Sequence, residues 1–378
     1  MPVSPLPRAG SSLGSGVHAD GGAGRAQGVD RRAPGAHTSC SASGGVLPEP
    51  ASSRGRAPSD AARIVARAAH VGRAGQDRGV RSILSVDPRL DLDGVLAFLR
   101  VRAIPGIEEV GEHDYRRSLV IDGEPIVAAI EIGSAEAGSA RHVVVTTSSD
   151  DAARHAEVEH RVRPLLDLDA PADEIDAALS RHPAVAERVA LRPGMRIPGT
   201  LDAPEMLVRA IVGQQISVVA AQRHLREIAI SGSALPARLA ATTDGAITRL
   251  FPTPRELLDG GADLLRGPES RRTTLRGAAA ALDSGELALS LDAPAEPARL
   301  REQLIGLRGI GPWTADYLVL RIHGSPDIAL PGDSAVRLGM RRLGETESDP
   351  AAVVRFAEQF RPWRSYLMLH LWARAAEG

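Results

Sequence analysis

The spacing of apolar and polar positions changes character twice along the chain. Residues 1–78 show poor apolar periodicity and are rich in Gly, Ala, Ser, Pro and Arg. Such a segment buries too little apolar surface to offset the entropy of ordering it, so it is read as a disordered low-complexity tail. Order is expected from about Ile83. Leu92, Val95, Leu96 and Leu99 recur at helical spacing, with Asp91 or Asp93 placed to cap the start. Short apolar runs follow at 117–121, 126–132 and 142–146, separated by Asp122-Gly123 and by a Gly/Ser-rich segment near 133–139. These predict antiparallel strands. A helix over 149–166 completes a small α+β domain spanning 79–168.

From about 172 onward, apolar residues recur at three and four, and Pro and Gly break the pattern often. The spacing predicts helices over 173–181, 183–189, 204–212, 217–229, 254–259, 270–283, 297–305, 312–323, 334–342, 350–359 and 362–375. Many short helices with short connections make an all-α orthogonal bundle over 169–378. The expected architecture is therefore multi-domain and mainly α: a tail, a small α+β domain, then the helical domain.

Composition narrows the chemistry. With 378 residues, two or three domains with proper cores are affordable. No stretch approaches the roughly 20 apolar residues of a membrane span, so no membrane partner and a cytoplasmic location are expected. The single cysteine, Cys40, excludes a disulfide framework and a four-cysteine zinc or iron–sulfur site within one chain. The net charge of −2 does not by itself advertise a nucleic-acid partner, although a local basic face would suffice. All 45 Lys+Arg residues are arginine. That removes the phosphate lysine of a P-loop and Schiff-base chemistry through a lysine amine. The remaining amine would be that of Pro2 after loss of Met1, and the low-complexity surroundings argue against its use.

The most informative stretch is 304–337. Gly309-Ile310-Gly311 separates two predicted helices, and Pro312 suits the first helical position. Glycines there permit conformations closed to other residues and let a ligand approach the main chain. Free N–H groups at the following helix start suit an anion such as a DNA phosphate, although a tight helix–helix turn with no ligand would use the same glycines. Trp313 and Tyr317 are four apart and so share a face. In a chain that is only 3% aromatic, they suggest a stacking site, with ordinary core packing as the alternative. Trp372 closes the last predicted helix, whereas Trp363 and Tyr366 are read as core, and Asp316, pointing off the aromatic face, as solvated. Asp333 follows an apolar strut and precedes a helix, a capping position. One of its oxygens can cap while the other faces a pocket. Arg308, Arg337 and Arg364 could meet phosphates.

These motifs resemble the helix-hairpin-helix, Gly/Pro-rich loop and aspartate signature of the base-excision DNA glycosylases, and more narrowly the DNA-3-methyladenine glycosylase II family. Leu201-Asp-Ala-Pro-Glu205, Arg209-Ala-Ile-Val-Gly-Gln-Gln-Ile-Ser217, Phe251-Pro-Thr-Pro254, Leu330-Pro-Gly-Asp333 and Arg361-Pro-Trp-Arg-Ser-Tyr366 occur in the family's order, and the similarity covers about 83–378. The resemblance implies a TATA-binding-protein-like half fold for the α+β domain. It implies Asp333 as the catalytic aspartate and Trp313, Tyr317 and Trp372 as base-pocket residues. It further implies Gly309, Gly311 and the Thr314 amide as a phosphate grip, and Gln214 and Gln215 on the loop that enters the gap left by a flipped base. Two positions depart from the family pattern: Gly332 stands where a second acid is found, and Gln215 where an apolar wedge is found.

The implied activity is monofunctional hydrolytic excision of alkylated, cationic purines such as 3-methyladenine and 7-methylguanine from double-stranded DNA, by a monomer without lyase activity. No metal site and no cofactor are expected; a monovalent cation could sit where the hairpin meets a phosphate. The competing readings are a non-catalytic helix-hairpin-helix DNA-binding protein and a glycosylase for a neutral oxidised or mismatched base. The first leaves Asp333 and the aromatics unexplained, and the second would call for a more polar pocket.

Overall fold

A run of alternating residues opens the described chain: β1 (Val80–Val86) buries Leu84 and exposes Ile83 and Ser85. The sequence reading missed this strand because its alternation is shallow, as suits a sheet edge. The computed structural model describes residues 79–133, 141–291 and 296–377, all within one compact unit. The expectation of a disordered tail, and most of the Gly/Ser-rich segment at 133–139, fall outside those residues.

The sheet is antiparallel throughout, in the order β1-β5-β4-β3-β2. It uses β2 (Glu108–Val110), β3 (Asp114–Ile121), β4 (Glu124–Gly133) and β5 (Arg141–Thr147). The β3–β4 hairpin turns on Asp122 (φ 50°) and Gly123 (φ 77°), with Ile121 paired to Glu124. Two successive positive φ values make the two-residue turn that the Asp-Gly pair predicts. One face of the sheet buries Tyr115, Leu119, Ile130 and Val143 against α1 (Leu92–Arg100) and α2 (Ala152–Leu165). Asp91 caps α1 by accepting from Gly94 N. Val127 on β4 instead meets Leu235, Leu239 and Ile247 from a strap over 233–250 that has no predicted counterpart. The strap is tied on by Ser118 Oγ, which donates to the Arg249 carbonyl at 2.6 Å.

The rest is helical: α3 (Ala172–Leu179), α4 (Pro183–Leu191), α5 (Ala203–Gly213), α6 (Val218–Ala229), the short α7 (Ala237–Ala240), α8 (Pro254–Leu258) and α9 (Glu269–Asp283). Then come α10 (Pro297–Gly306), α11 (Pro312–Leu318), α12 (Ser334–Arg342), α13 (Pro350–Glu358) and α14 (Arg364–Ala376). Two apolar clusters hold this body together. One centres on α5, with Leu207, Ile211, Leu275 and Leu318. The other centres on α14, with Val336, Met340, Leu367 and Leu371. Gly339 on α12 lies so close to α14 that an added Cβ would stand 2.2 Å from the Leu371 carbonyl oxygen. The chain is thus an α+β layer followed by a helix-hairpin-helix body, as expected. One predicted helix differs in kind. Residues 312–323 are α-helical only to Leu318 and continue as a π turn over Val319–His323. The wider turn accompanies the inward placement of Arg321, which is 5% exposed.

Candidate active site

The hairpin between α10 and α11 is built around Gly309. Its φ is +89°, and a Cβ there would stand 2.0 Å from Thr274 Oγ1, so neither conformation nor space admits a side chain. Gly311 differs from expectation: its φ of −91° is ordinary backbone. A Cβ at Gly311 would meet nothing within 4 Å, so this glycine keeps open surface rather than permitting a special turn. No side chain caps the start of α11.

On α11, Trp313 and Tyr317 share a face as their spacing predicts, with ring centroids 5.3 Å apart and planes 6° from parallel. Trp372 on α14 meets Tyr317 edge-on, at 6.5 Å and 69°. The stacked pair makes one shelf with Trp372 at its corner, not two opposed jaws. Asp333 ends the loop beside this shelf. Its Oδ1 accepts from the backbone N–H groups of Ala335 and Val336, at 2.8 and 2.9 Å, and so caps α12. Its Oδ2 accepts from the Trp313 indole at 3.0 Å. All three donors are neutral. The carboxylate is therefore oriented by three hydrogen bonds, and among the described residues its charge has no counter-ion.

Shelf and carboxylate line a cavity of about 730 Å³ together with Gly309, Gly311, Thr314, Gln214 and Gln215. Arg337 is not part of this lining; its Nε donates to the Ser348 carbonyl at 2.7 Å. Gln214 is held by the hairpin, donating to the Gly309 carbonyl (3.0 Å) and to Thr314 Oγ1 (3.2 Å). Its own carbonyl accepts from Arg271 Nη2 at 2.6 Å. Gln215, next along, is exposed and has a left-handed φ of 57°.

Three other residues read from sequence have definite partners. Asp316 is not solvated: it pairs with Arg301 at 2.5 Å. Arg364 is tied to Asp327 at 2.6 Å. Tyr366 is core, as read, with its hydroxyl donating to Asp167 Oδ2 at 2.9 Å. Arg308 remains exposed, with no ion-pair partner among the described residues.

The cavity lining also includes residues that the sequence reading missed. Phe98 on α1 carries two guanidiniums near its ring, Arg102 at 3.6 Å and Arg321 at 4.8 Å from the centroid. Arg321 donates to the Pro198 carbonyl, to the Gly199 carbonyl (3.0 Å) and to Tyr317 Oη (2.7 Å). Burial pushes the Arg102 guanidinium down to about 10, which still leaves it charged near neutrality. Burial raises the Tyr317 phenol, but the Arg321 and Arg102 charges outweigh it, and the net direction is down. Deeper, Glu205 receives hydrogen bonds from Arg117 and from Arg209 (2.7 Å). Glu108 accepts from Arg209, from Tyr115 Oη (2.6 Å) and from Ile104 N (3.0 Å). Glu108, Tyr115, Arg117 and Glu205 are buried and Arg209 is partly so, and the network ties β2 and β3 to α5. Glu205 and Arg209 stand four apart within an otherwise apolar helix, and that spacing was the available signal of a buried ion pair.

Comparison with known proteins bears on this geometry. The family model described as the AlkA N-terminal domain matches residues 82–202. A Mycobacterium tuberculosis protein named as a bifunctional transcriptional activator/DNA repair enzyme AlkA is 36% identical over 282 residues, 74% of this chain and 54% of the relative. The chain thus spans about half the length of that relative. Escherichia coli DNA-3-methyladenine glycosylase 2 is 33% identical over 295 residues, 76% of this chain and 95% of that protein. A solved 3-methyladenine DNA-glycosylase from Archaeoglobus fulgidus shares the fold, with a TM-score of 0.64 and 20% identity over 78% of this chain and 98% of its own. With one wall carrying the glycine hairpin, the indole-bonded aspartate and the aromatic shelf, and with a relative matched across nearly its whole length, the chain belongs to the DNA-3-methyladenine glycosylase 2 family.

Proposed function

We propose that the chain is a DNA glycosylase that extrudes alkylated purines from double-stranded DNA and hydrolyses their glycosidic bond. The observation that carries this reading is the Asp333 carboxylate, held by neutral donors at the edge of an aromatic shelf and beside an open glycine hairpin. A base inside a duplex is out of reach of such a wall, so it must leave the stack. The free face of the Trp313–Tyr317 shelf then takes the base. A cationic 3-methyl- or 7-methylpurine gains on the order of 1–2 kcal/mol per ring by cation–π attraction. Alkylation has already made the base a good leaving group, so no strong acid is needed. As the bond lengthens, positive charge grows on the deoxyribose, and Asp333 stabilises it and orients or deprotonates the attacking water. Gly309, Gly311 and the Thr314 amide would hold a backbone phosphate, and the Gln214–Gln215 tip would enter the emptied position. Arg337, turned toward Ser348, would serve the DNA contact only at the periphery.

The absence of lysine from the sequence supports hydrolysis without lyase activity. Borohydride should trap no covalent adduct with substrate DNA. One observation favours a wider range that includes neutral purines. The Arg102 guanidinium lines the cavity with no carboxylate partner among the described residues, and it can donate to a base's acceptor atoms without preferring a cation.

The test is incubation of the full chain with methylated duplex DNA and with a hypoxanthine-containing duplex. Free methylated base should appear, leaving abasic sites and uncut strands. Tight binding with no base released from either duplex would leave only a DNA-binding protein.

A further inference from the structure

Among the described residues, six arginines line the cavity, and carboxylates answer four of them. Arg117 and Arg209 share Glu205 and Glu108, Arg192 pairs with Asp91 at 2.6 Å, and Arg196 lies 3.6 Å from Asp167. Arg102 and Arg321 have no carboxylate partner among the described residues. Arg102 donates to the Phe98 carbonyl at 3.1 Å, and Arg321 donates to two backbone carbonyls and the Tyr317 hydroxyl. Both guanidiniums lie against the Phe98 ring. Two like charges gathered there without a counter-ion cost stability, and the burial of Arg321 raises that cost. The fold thus keeps surplus positive charge beside the cavity. The aromatic shelf meets both unanswered signs: Asp333 is bonded to its first ring, Trp313, and Arg321 to its second, Tyr317.

We propose that the surplus charge of Arg102 and Arg321 assists the leaving group, by favouring the base once it has taken the electron pair of the glycosidic bond. The inference rests on the glycosylase reading above and extends it to the departing base. When the bond breaks, its electron pair passes to the base nitrogen, and the base becomes more negative whatever its starting charge. A cationic 7-methylpurine leaves as a neutral base. Hypoxanthine leaves as an anion and takes a proton from solvent water. The attacking water's oxygen bonds the sugar carbon, and its proton passes to Asp333 or to solvent. Positive charge beside the base opposes the bound state and favours the departed one, while Asp333 favours the cation growing on the sugar. The two unanswered signs thus draw the bonding pair the same way, from sugar to base. Only a cationic lesion is repelled before the bond breaks, since a neutral lesion offers no charge to oppose. The arginines therefore extend excision to poorer leaving groups while weakening affinity for cations.

The test is single-turnover excision by the full chain, over a range of enzyme concentrations, on duplexes carrying 7-methylguanine or hypoxanthine. Arg102→Gln and Arg102→Met remove one of the two charges, and Arg102→Lys keeps it. The two neutral variants should lower the maximal rate about 10-fold on both duplexes. Their half-saturating concentration should fall for the 7-methylguanine duplex and hold for the hypoxanthine duplex. Arg102→Lys should recover most of the rate. Unchanged maximal rates, a loss that Arg102→Lys does not recover, or weaker binding of the 7-methylguanine duplex overturns the proposal. Release of no base from either duplex by wild type overturns the glycosylase reading and this inference with it.

Discussion

Glu205 and Asp333 are both carboxylates fixed by several hydrogen bonds, but their partners differ in kind. Glu205 is buried between Arg117 and Arg209, and those charges hold its carboxyl below its usual range against the opposing pull of burial. Asp333, partly exposed to the cavity, has two backbone amides and an indole as its hydrogen-bond donors among the described residues. A carboxylate that joins a sheet to a helix needs its charge cancelled, because an unpaired buried ion is expensive. One meant to stabilise a transient cation needs its direction set and its charge left uncancelled. Orientation and neutralisation are separable, and the two regions separate them.

The largest expected effect tests the uncancelled charge. Asp333→Asn removes the charge and can keep the helix cap through its one amide oxygen, while its NH2 cannot accept from the Trp313 indole. Single-turnover excision of methylated bases should fall about 10³-fold, on the order of 4 kcal/mol, with the cost in unfolding free energy held to about 1 kcal/mol for the one lost hydrogen bond. Near wild-type turnover would erase the distinction between the two carboxylates. In the other region, Glu205→Ala should reduce unfolding free energy by about 3 kcal/mol in denaturant titration, because two buried guanidiniums lose their shared partner. A shift under about 1 kcal/mol would mean that solvent reaches the network.

How much of this contrast the chain displays in its residue order differs between the regions. Asp333 as a cap, and Trp313 with Tyr317 on one face, follow from positions within four residues of each other, and local geometry suffices for them. Trp372 entered only through family resemblance. The Arg117–Glu205 bond spans 88 positions and the Phe98–Arg321 contact joins α1 to the turn after α11, so no periodicity announces either. Asp316 shows the limit at short range. Helical geometry placed it off the aromatic face, but its partner Arg301 lies on the neighbouring helix α10.

Smaller effects sharpen the comparison. Trp313→Phe retains a ring on the shelf but removes the donor to Asp333 Oδ2. Excision should slow about 10-fold, the value of one hydrogen bond to a charged group, with retained DNA affinity. Equal losses in rate and affinity would mean that the indole only stacks. Asp167 is the intermediate case, held by Tyr366 Oη and Ile197 N with Arg196 3.6 Å away. Burial, partly countered by Arg196, pushes its carboxyl up to about 6. A carboxyl raised in the folded state contributes stability that is fully present below its unfolded range near 4 and is lost as pH rises through about 6. Asp167→Asn should therefore add about 1 kcal/mol of stability at pH 7–8 and flatten the pH dependence between 4 and 6. A loss of stability at pH 8 would show that the ionised form is well satisfied.

The uncancelled charge of Asp333 is probed most directly by binding without chemistry. A duplex carrying a cationic pyrrolidine in place of the lesion sugar mimics the charged transition state, and a tetrahydrofuran duplex is its neutral counterpart. Wild type should prefer the cationic duplex by about 100-fold, and Asp333→Asn should bind the two alike. A preference that persists unchanged in Asp333→Asn would contradict the assignment of that charge to Asp333.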